Sequence, residues 1–450
     1  MSLAARTALE GRRVLVVGMA RSGVAAARLA LARGATVHCV DLRPDAEVVP
    51  DTTHRYGPHD QEDFASADIV VMSPGVPPGI RWVGIARAAG ATVVGELGFA
   101  SEVVHTAGVT VLAVTGTNGK SSTISFTGQL LAAAGVDAFV GGNLGRPLSE
   151  LALALLDGTS DPDVAVVEVS SYQLELPGPF RPAAAAILNL TPDHLARHRT
   201  MEAYAAAKAR IFENMCAGGV AVLPDAAPWA PEVLPLGVID ARLGRRPGVW
   251  WEGDTVHIQL HPDAPVERVD ASAFPLPGVH NRDNLAVAVL LARVGEAPLP
   301  ALDPGVLVAL PHRLQPVEGT GALTWVNDSK ATNVEAAQIG VEALTGPAVV
   351  LLGGAGKDGA DYSMLLPGLR AHARRVICFG ASGPEIAAAL PLPATVLVDG
   401  GLEDAVREAR THAQPGDTVL LSPACASFDE FRNFEHRGDV FAALARGGQP

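Results

Sequence analysis

A lysine and a serine follow a glycine in Thr115-Gly-Thr-Asn-Gly-Lys-Ser-Ser122, between an apolar run at Val111–Val114 and a helical stretch that reads through Ala134. Successive backbone N–H groups in such a turn form a concave anion site, and the following helix N-terminus adds partial positive charge. Lys120 is then placed to reach the β- and γ-phosphates of a nucleotide, and Ser121 offers a hydroxyl to Mg²⁺. The ordinary G-x-x-x-x-G-K spacing requires glycine at position 114, where this chain has Val114. The loop departs from the standard pattern while keeping the residues that do its chemistry. Glu168 closes a second apolar run, Val164–Val167, and opens Glu-Val-Ser-Ser-Tyr-Gln-Leu-Glu175. A carboxylate at a strand end beside a phosphate loop suits Mg²⁺, which prefers oxygen ligands. Alone, Glu168 reads equally as a solvated strand-end acid.

Other motifs are weaker in isolation. Thr191-Pro-Asp-His194 precedes a helix read over Met201–Met215 that carries Lys208; a lysine there is ordinarily an exposed helix residue. His280-Asn281-x-x-Asn284 opens a helix and by itself reads as capping. Gly18-Met-Ala-Arg-Ser-Gly23, with Asp41-Leu-Arg43 after the next strand, looks like a degraded dinucleotide fingerprint.

The loop Thr115–Ser121 is similar to the ATP loop of the Mur ligases and the related folylpolyglutamate synthases, and the remaining motifs follow in that superfamily's order. The resemblance runs from about Gly18 to the C-terminus and is weakest over 220–275. It implies an ATP-dependent ligase that activates a carboxyl group as an acyl phosphate and joins it to an amino acid. By the same resemblance, Gly116, Thr117, Asn118, Gly119, Lys120, Ser121 and Ser122 hold the phosphates, Asn281 and Asn284 contact the adenine, Arg313 in Leu310-Pro-His-Arg-Leu314 contacts the nucleotide at a hinge, and Asp328 binds the ribose. Catalysis falls to Lys120, Glu168, His194 and Lys208. Lys208 is expected to carry a CO₂-derived carbamate, which turns an amine into an anionic oxygen ligand, so that Ser121, Glu168 and carbamylated Lys208 hold two Mg²⁺. The fingerprint region corresponds to the UDP end of the substrate, at Ala20, Arg21, Ser22, Asp41, Leu42, Arg43, Ser73, Pro74 and Gly75; Asn143, Ser171 and Gln173 face its sugar and peptide end. Asn327-Asp-Ser-Lys-Ala-Thr-Asn333 and Leu421–Phe434 resemble the D-glutamate-adding branch. That match implies UDP-N-acetylmuramoyl-L-alanine and D-glutamate as substrates, with Lys330, Thr332, Lys357, Ser427 and Phe434 around the amino acid. A dicarboxylic amino acid needs cations, and Lys330 and Lys357 supply them. A family member adding a different amino acid, an NAD(P)-linked oxidoreductase using the fingerprint, and a non-catalytic nucleotide switch stay open as alternatives.

The elements that must position these residues alternate short β-branched runs with helical stretches, which argues for an α/β protein with mostly parallel sheets. Strands are expected at Val14–Val17, Val37–Val40, Asp68–Met72, Thr92–Val94, Val111–Val114, Val164–Val167 and Ala184–Leu188. Later ones are expected at Thr324–Val326, Ala348–Leu352, Val376–Phe379, Thr395–Val398 and Thr418–Leu421. Between Val220 and Phe274 short alternating pieces read as one small β-hairpin element without chemistry, its two tryptophans serving packing. A Pro-containing joint at Pro298–Pro311 reads as a linker. The resulting division is a Rossmann-like UDP-binding domain at 1–105, a central P-loop ATPase-like domain at 106–309 and a Rossmann-like amino-acid-binding domain at 310–450.

Bulk composition agrees. At roughly 150 residues per domain, 450 residues make about three domains, and 48% hydrophobic residues are enough for several cores. The formal charge of -14, without a Lys/Arg cluster, excludes nucleic acid as the expected partner. Cys39, Cys216, Cys378 and Cys425 form no CxxC pair, so neither a zinc site nor a disulfide framework is indicated. The first thirteen residues lack the apolar core of a signal peptide, and no apolar run approaches the ~20 residues of a membrane span. A cytoplasmic monomer is expected.

Overall fold

The computed structural model describes residues 3, 7–143, 145–231, 234–276, 278–318, 321, 323–356 and 360–447. Three sheets organise them. The first contains β1 (Arg13–Val17), β2 (Thr36–Asp41), β3 (Thr53–Tyr56), β4 (Ile69–Met72) and β5 (Thr92–Gly95), all parallel, in the order β3-β2-β1-β4-β5. The alternation along β1 explains its unbroken apolar sequence. Val14 and Val16 enter one core cluster, and Leu15 and Val17 enter another on the opposite face. A parallel strand covered on both faces has no polar side to show.

The second sheet has nine strands: β6 (Thr110–Thr115), β7 (Ala138–Gly142), β8 (Val164–Glu168), β9 (Ala184–Ile187), β10 (Val220–Pro224), β11 (Ile239–Leu243), β12 (Gly248–Glu252), β13 (Thr255–Gln259) and β14 (Glu267–Asp270). Their order is β14-β13-β12-β11-β10-β9-β6-β8-β7. From β7 to β12 the neighbours are parallel; β12, β13 and β14 form an antiparallel meander. The segment expected to be one hairpin therefore supplies five strands. Two of them, β10 and β11, extend the parallel sheet, β10 by pairing with β9 outside the segment, which local alternation cannot reveal. Trp250 is buried as expected, whereas Trp251 is half-buried and donates its indole N–H to Arg282 O at 3.1 Å. The helix expected over Met201–Met215 stops at Ala209 and tightens into a 3₁₀ turn at Arg210–Phe212.

The third sheet comprises β15 (Gln315–Val317), β16 (Thr324–Asn327), β17 (Ala348–Gly353), β18 (Ala373–Phe379), β19 (Thr395–Leu397) and β20 (Thr418–Leu421), ordered β15-β16-β20-β17-β18-β19. Only β15 is antiparallel to its neighbour. By contact density the chain divides into two compact units. One holds 1–275 with 279–307, and the other holds 276–278 with 308–450. Within the first, a single apolar cluster runs from Val14 through Leu223 and joins the first two sheets; the helix Glu96–Ala107 runs across position 105. The division between units falls inside the proline-containing joint, after 3₁₀ turns at Leu299–Ala301 and Pro304–Val306. No helix among the described residues is long and apolar enough to cross a membrane.

Candidate active site

Candidate residues of the first unit cluster at the carboxyl ends of parallel strands, where α/β sheets bind ligands. Thr115 ends β6. The chain then turns through Gly116 at φ 148° and Gly119 at φ 85° before the helix Lys120–Ala133 begins. A Cβ on Gly119 would come 2.5 Å from Asn284 Oδ1, so both backbone angle and space require glycine there. Lys120 Nζ donates to Gly116 O at 2.8 Å and Thr117 O at 2.6 Å, which curls the cation over the loop. Ser121 Oγ donates to Glu168 Oε2 at 2.7 Å, and Glu168 Oε1 accepts from Asn143 Nδ2 at 2.9 Å. A hydroxyl and a carboxylate this close form an oxygen donor set of the kind Mg²⁺ takes. Ser122 is buried in the first helical turn.

Lys208 lies beneath the loop at 1% exposure. Its Nζ donates to Thr115 Oγ1 at 3.1 Å and to Gly116 O at 2.9 Å. Burial, and then the charge of Lys120, hold the amine well below the ordinary lysine range; Asp193 and Glu168 pull the other way. An amine so placed is driven toward its neutral, nucleophilic form. Asn284 is buried with Thr123 Oγ1 3.3 Å from its Oδ1, and Asn281 is half-buried in the first turn of the helix Val279–Val294. His194 takes φ 57° at the start of the short helix Leu195–His198, and its Nδ1 lies 3.0 Å from Tyr172 Oη. Asn118 is gripped from both sides. Its N–H donates to Asn189 Oδ1 at 2.9 Å, and its carbonyl accepts from Asn189 Nδ2 at 3.1 Å.

A cavity of about 790 Å³ opens beside the fingerprint turn. Ala20, Arg21, Ser22, Asp41, Leu42, Arg43, Ser73, Pro74, Gly75, Asn143 and Gln173 all line it. Ser171 does not; it is buried with Oγ 2.9 Å from His198 Nε2. A Cβ on Gly23 would lie 1.9 Å from Gly18 O, which explains the second glycine of the fingerprint. Asp41 accepts from Met19 N at 2.6 Å and Arg43 N at 2.8 Å, and pairs with the Arg43 guanidinium. Burial pushes its carboxyl up, but the Arg43 and Met19 bonds together outweigh it, leaving the carboxyl below its usual range.

In the second unit Asp328, just past the end of β16, is buried and accepts from Ser422 Oγ at 2.7 Å and Leu314 N at 3.2 Å. Burial pushes it up to about 7 against the pull of these bonds and of Arg313. Arg313 is flanked by two residues with left-handed backbones, His312 at φ 60° and Leu314 at φ 44°; such strain in non-glycine residues concentrates at functional segments. Lys330 Nζ stands 4.1 Å over the Phe434 ring, Ser427 is buried, and Thr332 is half-buried with its N–H on Lys330 O. Lys357 lies outside the described residues.

Three family models match the chain: "Mur ligase MurD-like, N-terminal domain" over 12–95, "Mur ligase middle domain" over 114–292 and "Mur ligase, glutamate ligase domain" over 312–425. The chain belongs to the Mur ligase family. Among curated relatives, the UDP-N-acetylmuramoylalanine–D-glutamate ligases of Myxococcus xanthus and Anaeromyxobacter dehalogenans are each 41% identical, over 97% of this chain and 98% of theirs. Among solved structures, the MurF ligase of Thermotoga maritima in complex with ADP superposes with TM-score 0.62 at 19% identity, covering 99% of this chain and 97% of that one. Its likeness speaks to the three-domain fold.

Several residues in the candidate site of this Mur ligase carry no signal in the motifs. Asn189 follows β9 as an ordinary strand-end polar residue, and its grip on Asn118 spans 71 positions. Tyr204 Oη lies 3.2 Å from Thr117 Oγ1. His59, Ile80, Arg81 and Trp82 also line the cavity. Arg437, fully buried, donates to Ser329 Oγ and O and to Cys425 O and Ala426 O. It ties the two segments that carry the candidate amino-acid site.

Proposed function

We propose that this Mur ligase joins D-glutamate to UDP-N-acetylmuramoyl-L-alanine through an acyl phosphate, for the synthesis of peptidoglycan precursor, as a cytoplasmic monomer. The observation that carries the reading is the loop itself, with Lys120 curled over Gly116–Thr117, Ser121 bonded to Glu168 and Lys208 buried behind them. The acceptor follows the names of relatives identical at 41% over nearly the whole chain.

In this reading the terminal carboxylate of the UDP-linked substrate attacks the γ-phosphorus of ATP. The bond to the β-phosphate oxygen breaks, and ADP leaves. The D-glutamate amine then attacks the acyl carbonyl, loses a proton, and the tetrahedral adduct expels phosphate. Lys120 and the loop N–H groups bind and orient the phosphoryl group. The uncharged Lys208 amine adds to CO₂ and releases one proton, giving a carbamate, and Ser121, Glu168 and that carbamate are the residues that would hold two Mg²⁺. Bound Mg²⁺ neutralises charge on the transferring phosphoryl oxygens. His194 orients reacting groups. Asn281, Asn284, Arg313 and Asp328 bind the nucleoside; the cavity residues, with Ser171, bind the UDP substrate. Lys330, Thr332, Lys357, Ser427 and Phe434 take the amino acid, whose two carboxylates suit the lysines.

The test is phosphate release from ATP and Mg²⁺ with UDP-N-acetylmuramoyl-L-alanine, adding one amino acid at a time. Release that depends on D-glutamate is expected. Release with another amino acid would keep the ligase and reassign its acceptor site. No release from protein that still binds ATP would leave a nucleotide switch.

A further inference from the structure

Tyr172 has no part in the chemistry above, yet it touches three ionisable side chains of the turn that carries His194. Its Oη lies 3.0 Å from His194 Nδ1. Its ring stands 4.8 Å from the His194 imidazole, 5.7 Å from that of His198 and 4.9 Å from the Arg197 guanidinium. The other His194 nitrogen, Nε2, lies 3.7 Å from Asp193 Oδ2. These two neighbours select the same tautomer. A carboxylate beside Nε2 favours a proton there, which leaves Nδ1 as the acceptor. The phenol is the matching donor, because burial raises its pKa and keeps its proton in place. His194 also sits at φ 57°, a conformation costly for a non-glycine residue and kept only where the surroundings impose it.

We propose that Tyr172 is a positioning residue whose O–H···Nδ1 bond locks His194 as the Nε2–H tautomer in one ring orientation, so that Nε2 presents a donor to the anionic oxygens of the reacting carboxyl and phosphoryl groups. The inference rests on the function proposed above for the purpose of the lock, and on geometry alone for its existence.

Tyr172→Phe removes the hydroxyl and keeps the ring against Arg197. In the full chain labelled with ¹⁵N-histidine, with the His194 signals assigned by their loss in His194→Gln, long-range proton–nitrogen NMR reads the tautomer directly. The parent should show Nε2–H, and Tyr172→Phe a mixture of both tautomers. In the phosphate-release assay kcat should fall about threefold to tenfold, with KM for each substrate within about twofold, as for loss of one hydrogen bond that acts on rate. An Nδ1–H tautomer in the parent, or an unchanged pattern in the variant, overturns the proposal. So does a loss confined to KM, which would make Tyr172 a substrate contact. A tautomer change in a protein without D-glutamate-dependent turnover would uphold the lock and remove the function proposed for the site.

Discussion

Gly116 O is shared by two lysines, Lys120 at 2.8 Å and Lys208 at 2.9 Å. Two ammonium groups on one carbonyl repel each other, and the buried one yields its proton first. In the proposed mechanism the pair would divide two tasks, a fixed cation for phosphate and an uncharged amine for CO₂. Lys120→Ala should abolish phosphate release while the circular-dichroism spectrum stays that of the parent; near-normal turnover would remove the phosphate-loop reading. Lys208→Ala should be largely inactive and regain activity with added short carboxylates, and wild-type rates without them would end the carbamate reading. Asp328 gives a pH signature. Its folded pKa, about 7, lies above the unfolded value near ~4. The native state therefore holds the extra proton between these values, and the contribution to stability, full below about 4, is lost as pH rises through about 7. Asp328→Asn should flatten that part of the Tm-against-pH curve, and an unchanged slope would show that another group titrates there.

At the level of elements, the loop-to-helix joint is the most constrained. Gly119→Ala meets both a left-handed backbone angle and Asn284 Oδ1 at 2.5 Å. It should weaken ATP binding about fivefold to thirtyfold by titration calorimetry, because the strain of about 1–2 kcal/mol falls on the loop proposed to cradle the phosphates. Parental affinity would mean that the loop can shift. Thr200 caps the helix Met201–Ala209 by accepting from Ala203 N, and Thr200→Ala should cost about 1 kcal/mol in denaturant unfolding. This joint was readable because its signal is local: glycines, lysine and serine at fixed spacing between a strand and a helix. Asp41 and Arg43 lie in an equally local pattern, the turn after the second strand, whereas Ser73 follows only from the resemblance; all three line the same cavity. What could not be read were pairings across the chain. β10 joins the parallel sheet through β9, a partner outside its own segment, and β11 follows beside it. The grips of Asn189 on Asn118 and Arg437 on Ser329 span 71 and 108 positions. The helix ends at Ala209 although the apolar pattern continues through Ile211 and Phe212, which are buried in a 3₁₀ turn instead.

At the scale of the molecule, the apolar clusters decide which segments can fold alone. The second unit has its own apolar clusters on both faces of its sheet, with Val350 and Leu352 on one side and Val349 and Leu351 on the other. Expressed alone, 308–450 should fold with a cooperative thermal transition. The first sheet shares its core with the second through Phe99, Val103 and Leu151, so 1–107 alone should show no such transition; a sharp one would mean that the shared cluster is dispensable.

The other apolar cluster of the first sheet bears on the 790 Å³ cavity. Val17, Val76, Ile80 and Trp82 line it, and all four also belong to or pack against the apolar cluster on the outer face of the first sheet. If the UDP substrate binds here as proposed, an inhibitor fitted to these walls would press on residues the protein needs for folding. Shaving one of them to escape the drug removes buried apolar surface, at about 1–3 kcal/mol per large side chain. Resistance arising at this wall should carry a fitness defect seen first as reduced protein abundance.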